Sequence, residues 1–86
     1  MYEIYFSKQA EKDKRLLKQA GLEKRARALL SVIAENPFKS PPPYEKLVGD
    51  LSGFYSRRIN VQHRLVYQVY EGEKAIKILR MWTHYE

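Results

Sequence analysis

The chain has 86 residues, and 16 Lys and Arg against 10 Asp and Glu give it a formal net charge of +6 at pH 7. It contains no cysteine, which excludes a disulfide framework and a thiolate metal site. We expect residues 1–86 to form one domain with a thin core, because a chain of this length buries only about 60% of the surface that its unfolded form exposes.

The apolar runs are far shorter than the roughly 20 residues that span a bilayer, and segment Met1–Ile4 lacks the basic and apolar stretches of a secretion signal. We therefore expect a cytoplasmic protein that does not enter a membrane. The excess positive charge is shared evenly between the two halves of the chain. It favours nucleic acid or an acidic protein as a partner, and solubility alone is the alternative explanation.

The first half of the chain predicts a strand followed by two helices. Residues Tyr2–Phe6 are rich in aromatic and branched side chains, which is typical of a strand. A helix is predicted over Ser7–Gln19, with Ser7 as its cap and Gly21 in the left-handed conformation that ends helices. A second helix follows and stops at Asn36-Pro37. Its core-facing stripe consists of Leu22, Ala26, Leu29, Leu30 and Ile33.

The second half predicts a long loop and a meander of strands. Segment Pro37–Gly53 holds all four prolines and has no periodicity, so it is predicted to be a loop. Strands are predicted over Phe54–Ile59, Arg64–Tyr70 and Ala75–Trp82. The order β-α-α-β-β-β indicates an α+β domain, in which a two-helix hairpin packs on one face of a mostly antiparallel four-stranded sheet and leaves the other face available.

Several common kinds of site are not expected. The chain has only two histidines, His63 and His84, and its carboxylates are not paired at close spacing, so neither a zinc site nor a two-metal nuclease is predicted. Its four glycines are isolated, which argues against a phosphate-binding loop. We expect no cofactor.

The remaining polar groups suit cleavage of RNA by its own 2′-hydroxyl. That reaction needs a base for the hydroxyl, positive charge for the phosphorane and an acid for the leaving oxygen. Arg57 or Arg58 can lie within about 5.5 Å of Arg64 if they pair across a hairpin. A five-residue connection from Ile59 to His63 would put Arg58 opposite Arg64, whereas a connection shorter by one residue would separate them.

Three segments together resemble the YoeB/Txe toxins of the RelE-like superfamily. These are Leu51–Ile59, His63–Tyr67 and the closing His84-Tyr85. The resemblance implies a RelE/YoeB-like fold and the toxin of a type II toxin-antitoxin pair. It further implies a ribosome-dependent mRNA endoribonuclease, or mRNA interferase, that enters the ribosomal A site and cuts mRNA there. The expected partners are the ribosome, mRNA and a YefM/Axe-like acidic antitoxin encoded nearby, and a homodimer is a further option.

The resemblance also implies a role for each matching residue. The general base falls on Glu45, the phosphate-stabilising arginines on Arg58 and Arg64, and the general acid on His84. Tyr85 resembles the residue that packs against the substrate bases or positions the scissile nucleotide.

Three further residues are expected to bind substrate: Lys46, Tyr55 and Arg57. Lys46 is included because Val48 stands where some family members have a lysine. Arg57 is expected to point to the face opposite Arg58. His63 is interpreted as a structural residue of the hairpin turn.

Each assignment has a simpler alternative. Glu45 could be a solvated loop carboxylate, and His84 a frayed terminal residue. A non-catalytic basic RNA- or ribosome-binding module is the alternative function. Such a module needs arginines and tyrosines but has no use for a carboxylate that repels phosphate. The aromatic residues Phe54, Tyr67, Tyr70 and Trp82 are interpreted as packing residues rather than base-stacking platforms.

Overall fold

The computed structural model describes residues 1–82. Their elements follow in the order β1 (Glu3–Phe6), α1 (Lys8–Gln19), α2 (Glu23–Glu35), β2 (Glu45–Lys46), a short 3-10 helix (Gly49–Leu51), β3 (Phe54–Arg58), β4 (Arg64–Tyr70) and β5 (Ala75–Arg80). The predicted α+β class and element order are confirmed. The sheet has one strand more than predicted. The additional strand, β2, forms within the proline-rich segment Pro37–Gly53, for which the sequence predicts a loop.

The five strands lie side by side in the order β1-β5-β4-β3-β2. Only β1 and β5 run parallel among the described pairs, so the sheet is mostly antiparallel, as predicted. Strands β3 and β4 form the predicted hairpin, in a register that places Arg58 opposite Arg64. Strand β2 extends the sheet beyond β3 and pairs Glu45 with Ser56.

Helix α1 has well-defined ends that the sequence indicates. Ser7 accepts a hydrogen bond from the backbone N–H of Ala10 at 3.0 Å, which satisfies one of the free N–H groups of the first turn. At the other end Gly21 has φ +74°. The N–H of Leu22 donates to Leu17 O, a bond that requires the left-handed residue in between. This closure turns the chain directly into α2.

The apolar core lies between the two helices and one face of the sheet. Burying a Leu or Ile side chain there contributes about 1.5–3 kcal/mol. The residues of this cluster are Ala10, Leu17, Ala26, Leu29, Ile33, Ile59, Leu65, Tyr67, Ile76, Ile78 and Met81. Since side chains alternate along a strand, the neighbours Ser56, Arg58 and Arg64 lie on the other face, which we call the open face.

No helix within residues 1–82 is both long enough and apolar enough to cross a membrane.

Candidate functional site

A small cleft on the open face brings together three of the residues that the sequence predicts as catalytic. Arg58 and Arg64 are direct partners across the β3–β4 hairpin, and Glu45 is the partner of Ser56 across β2 and β3. Nη1 of Arg64 donates to Oε1 of Glu45 at 3.0 Å. The cleft has a volume of about 110 Å³ and is lined by Pro42, Pro43, Tyr44, Glu45, Ser56, Arg58 and Arg64.

The cleft carries an excess of positive charge. Its two guanidinium groups face one carboxylate. The Arg64 side chain is 18% exposed and that of Glu45 is 63% exposed, while Arg58 is exposed. An ion pair partly open to water contributes only about 0–1 kcal/mol, so a phosphate can bind beside it at little cost. The arrangement therefore suits binding of a phosphodiester beside a carboxylate.

Arg57 lies on the face opposite Arg58, as predicted, but it is buried there rather than accessible to substrate. It is 1% exposed, and its guanidinium donates to Tyr67 Oη at 3.1 Å and to the carbonyl oxygens of Pro37, Lys39 and Pro42 at 3.0, 2.8 and 2.6 Å. A buried cation needs such acceptors because water cannot reach it. The expectation that Arg57 contacts substrate therefore does not fit its burial. Arg57 instead anchors the proline-rich loop that leads to Glu45.

Tyr55 and Lys46 also lie away from the cleft lining. Tyr55 shares the helix-facing side of β3 with Arg57, where its ring packs edge-on against Phe38 with centroids 5.1 Å apart. Lys46 is exposed and pairs with Tyr55, so it occupies that same side of the sheet. Neither position fits the substrate contact expected of it. The strand period of two, applied from Arg58 backwards, could have separated Tyr55 from the cleft. Lys46 lies in β2, a strand that the sequence did not indicate.

Ser56 is a cleft residue that the sequence interpretation missed. It is 2% exposed, and within residues 1–82 its Oγ has no hydrogen-bond partner. A hydroxyl can donate to a phosphate oxygen or hold a water molecule there. Its position two residues before Arg58 in the same strand was the available signal.

Residues His84 and Tyr85, expected as general acid and substrate-positioning residue, lie outside the described residues. The chain leading towards them is well held, because the ring of Trp82 stacks on His63 with centroids 3.8 Å apart. His63 is 9% exposed, and its carbonyl oxygen accepts from the backbone N–H of Ile59 at 2.8 Å. Its placement agrees with the structural role predicted for it.

In residues 1–82, His, Asp and Glu side chains do not gather in groups of three or more that could hold a metal ion. The absence of a cofactor stays a prediction.

The family of the chain follows from comparison with known proteins. A model of the YoeB-like toxin of bacterial type II toxin-antitoxin systems matches residues 2–85. The chain belongs to this family. It is therefore a toxin of a type II toxin-antitoxin system, as the three sequence segments indicated.

Individual YoeB toxins agree over most of the chain. Toxin YoeB of Synechocystis sp. is 38% identical over 76 residues, which cover 88% of this chain and 79% of that protein. The toxin in a YoeB-YefM complex from Staphylococcus aureus is 39% identical, with a TM-score of 0.82 over 99% of both chains. A YoeB/ParE toxin from Agrobacterium tumefaciens is 25% identical and has a TM-score of 0.88, covering 96% of this chain and 99% of that one.

Proposed function

We propose that this YoeB-family toxin is a ribosome-dependent mRNA endoribonuclease, an mRNA interferase that cuts mRNA in the A site of cytoplasmic ribosomes and so inhibits translation. The observation that carries the proposal is the joint placement of Glu45, Arg58 and Arg64 in one cleft of the open face. A base and two cations beside one phosphate are what metal-free cleavage of RNA requires.

In the proposed reaction Glu45 takes the proton of the 2′-hydroxyl, and the 2′-oxygen attacks the adjacent phosphorus. Arg58 and Arg64 stabilise the extra negative charge of the phosphorane. The bond from phosphorus to the 5′-oxygen then breaks, and His84 gives that oxygen a proton. The products are a 2′,3′-cyclic phosphate and a 5′-hydroxyl. Tyr85 holds the nucleotide in place.

The contacts of Arg64 are compatible with both parts of its proposed role, contact with Glu45 and binding of the phosphate. A guanidinium carries five N–H donors, and one of them is used on Glu45. Within residues 1–82 the other N–H groups have no recorded partner, so they can turn to phosphate oxygens, which a planar guanidinium binds in pairs. The same side chain can thus orient the carboxylate and bind the phosphate.

The size of the cleft suits a phosphate rather than a whole nucleotide. Pockets that enclose a small molecule have volumes of about 300–1,000 Å³, whereas this cleft, as residues 1–82 form it, has about 110 Å³. In the proposed function the ribosome holds the codon in the A site while the cleft binds one phosphodiester.

The alternative, a non-catalytic RNA- or ribosome-binding module, accounts for the arginines but not for Glu45. A carboxylate that bonds to Arg64 inside the cleft weakens phosphate binding. Its presence there favours catalysis over binding alone.

Mapping the ends of mRNA cut on intact ribosomes tests the proposed chemistry. Attack by the 2′-hydroxyl leaves a 2′,3′-cyclic phosphate or, after its hydrolysis, a 3′-phosphate, together with a 5′-hydroxyl. Fragments that carry a 3′-hydroxyl and a 5′-phosphate contradict this mechanism.

The expected partners also have support from relatives. The S. aureus toxin named above was solved with YefM, and a YoeB dimer from the same organism is 39% identical to this chain with a TM-score of 0.83. We propose that this toxin likewise binds a YefM-like acidic antitoxin encoded nearby and can form a homodimer.

A further inference from the structure

Asp13 is a buried carboxylate that the proposed reaction does not use. It lies on α1 and is 0% exposed, although Asp is rarely buried without partners. Its Oδ1 accepts from Nε2 of Gln9 at 3.0 Å. Its Oδ2 accepts from Nε of Arg80 at 3.2 Å, from the N–H of Met81 at 2.9 Å and from the N–H of Trp82 at 3.2 Å. One oxygen thus binds three successive residues.

These three residues form the end of β5 and the segment that follows it. Strand β5 ends at Arg80, so the N–H groups of Met81 and Trp82 need acceptors from outside the sheet. Asp13 supplies them. The indole of Trp82 is held from the other side by His63, on which it stacks at an interplanar angle of 18°. His63 directly precedes Arg64 in the chain, so this contact joins the segment to the hairpin that carries the cleft.

Asp13 remains ionised in this setting. Burial alone raises the pKa of its carboxyl, but the hydrogen bonds from Met81, Gln9 and Arg80, together with the charge of Arg80, outweigh burial and hold the pKa below its ordinary value. A charged acceptor forms hydrogen bonds roughly twice as strong as a neutral one.

We propose that Asp13 is a positioning residue, which fixes Met81 and Trp82 and thereby sets the point from which the chain delivers His84 to the cleft. This inference rests on the proposed function of His84. His84 follows Trp82 by two residues in the sequence, so a shift of Trp82 displaces the start of the segment that carries it. A misplacement of about 1 Å in a catalytic group can lower the rate about 10²-fold.

The test compares Asp13→Ala with Leu17→Ala. Leu17 lies on the same helix and is 1% exposed, so its truncation also weakens the packing of α1, but its side chain forms no hydrogen bond to residues 80–82. Two readouts are measured on each full-length variant. The first is the fluorescence of Trp82, the only tryptophan of the chain. The second is the rate of a single round of mRNA cleavage on saturated ribosomes. Both are expressed per folded molecule.

We expect Asp13→Ala to shift the Trp82 emission to the red, to make it more accessible to a soluble quencher, and to slow cleavage about 10²-fold with unchanged affinity for ribosomes. Leu17→Ala should leave both readouts per folded molecule as in the wild type. Asp13→Asn keeps an acceptor for the backbone N–H groups but loses the charge, and it should recover most of the rate, with a loss of about tenfold. If Asp13→Ala does not fold, Asp13→Asn takes its place in the comparison.

A double-mutant cycle with His84→Ala shows whether Asp13 acts through that histidine. We expect Asp13→Ala to slow cleavage no further once His84 is removed, because positioning an absent group has no effect. If the rate losses of Asp13→Ala and His84→Ala multiply in the double variant, the positioning role is wrong. It is also wrong if the Asp13 variant keeps the wild-type cleavage rate and Trp82 emission. Both results leave the proposed function intact. A wild-type toxin that does not cleave mRNA on ribosomes contradicts the proposed function and this role with it, whatever the fluorescence shows.

Discussion

Arg57 and Arg58 are adjacent in β3, yet their guanidinium groups lie on opposite faces of the sheet. Arg57 is 1% exposed and bonds to three loop carbonyl oxygens and to Tyr67, whereas Arg58 is exposed and lines the cleft. The same side chain therefore has a structural role at one position and, in the proposed reaction, a chemical role at the next.

Replacing each arginine by methionine should separate these roles. Arg57→Met leaves buried acceptors without donors, at a cost of about 1–3 kcal/mol for each, so we expect the free energy of unfolding to fall by several kcal/mol. Arg58→Met should change it by no more than about 0.5 kcal/mol, as is usual for exposed positions, but should abolish most cleavage. Urea unfolding of the two variants measures the difference. Equal losses of stability contradict the structural role of Arg57.

The cleft residues could be predicted from sequence only where a segment resembled a known family or the strand period applied. The five-residue connection from Ile59 to His63 correctly predicted that Arg58 faces Arg64. The same period places Ser56 on the face of Arg58, two residues away in β3, although the sequence interpretation did not use it. Asp13 could not be recognised in this way, because its role depends on contacts with residues about 67 positions later in the chain, which no local pattern shows.

Helix α1 is joined to the end of β5 at two points. Ser7 donates from Oγ to Leu79 O at 2.8 Å, and Asp13 accepts from residues 80–82. The helix thus determines where the last strand ends, although the two elements lie far apart in sequence. The predicted strand Ala75–Trp82 was too long at its end because Met81 and Trp82 bond to Asp13 rather than to a neighbouring strand.

Strand β2 shows why part of the sheet could not be predicted. It has two residues, Glu45 and Lys46, which are too few to display a period of two. Its position depends on the anchoring of the preceding loop by Arg57 and on packing of Tyr44 against Tyr55, with ring centroids 6.0 Å apart. The residues of these contacts are 15 and 11 positions apart in the chain. The two helices, by contrast, carry their apolar stripes in the local sequence, and α1 also carries its Ser7 cap there.

The free energy of unfolding should depend on pH, because the Asp13 carboxylate links α1 to the end of β5. The pKa of Asp13 is lower in the folded chain than the ordinary value, which is about 3.9 in unfolded chains. Its contribution to stability is therefore complete above about pH 4 and is lost as the pH falls through the lower pKa of the folded state.

Urea unfolding at a series of pH values, followed by Trp82 fluorescence, measures this dependence. Asp13→Asn should flatten the loss of stability below about pH 4. Asp50→Asn, which removes an exposed carboxylate, is the matched control and should keep the wild-type profile. A wild-type profile in Asp13→Asn contradicts the stabilising role of its charge.

At the scale of the whole molecule, both helices pack on one face of the sheet and the candidate site lies on the other. The cleft of Glu45, Arg58 and Arg64 is open to solvent on that face. With a net charge of +6, the chain attracts polyanions over distances of about 10 Å at an ionic strength of about 0.1 M. The same positive charge favours association with RNA and with an acidic antitoxin.

Co-expression with the product of the adjacent gene should yield a stable complex that does not cleave mRNA. An acidic, disordered segment that folds on this domain can cover a large surface, including the cleft. Co-purification followed by a cleavage assay on ribosomes provides the measurement, and raising the salt concentration should slow association. A bound protein that leaves the cleavage rate unchanged contradicts inhibition by this partner.

The most direct measurement of the proposed activity is a single round of mRNA cleavage on saturated ribosomes by Glu45→Gln, with ribosome binding measured alongside. Glutamine keeps an acceptor for Arg64 but cannot take a proton from the 2′-hydroxyl. We expect unchanged binding and cleavage slower by about 10²–10⁴-fold. Glu35→Gln, at the end of α2 and outside the cleft, should cleave like the wild type. Cleavage by Glu45→Gln at the wild-type rate contradicts the role of Glu45 as general base.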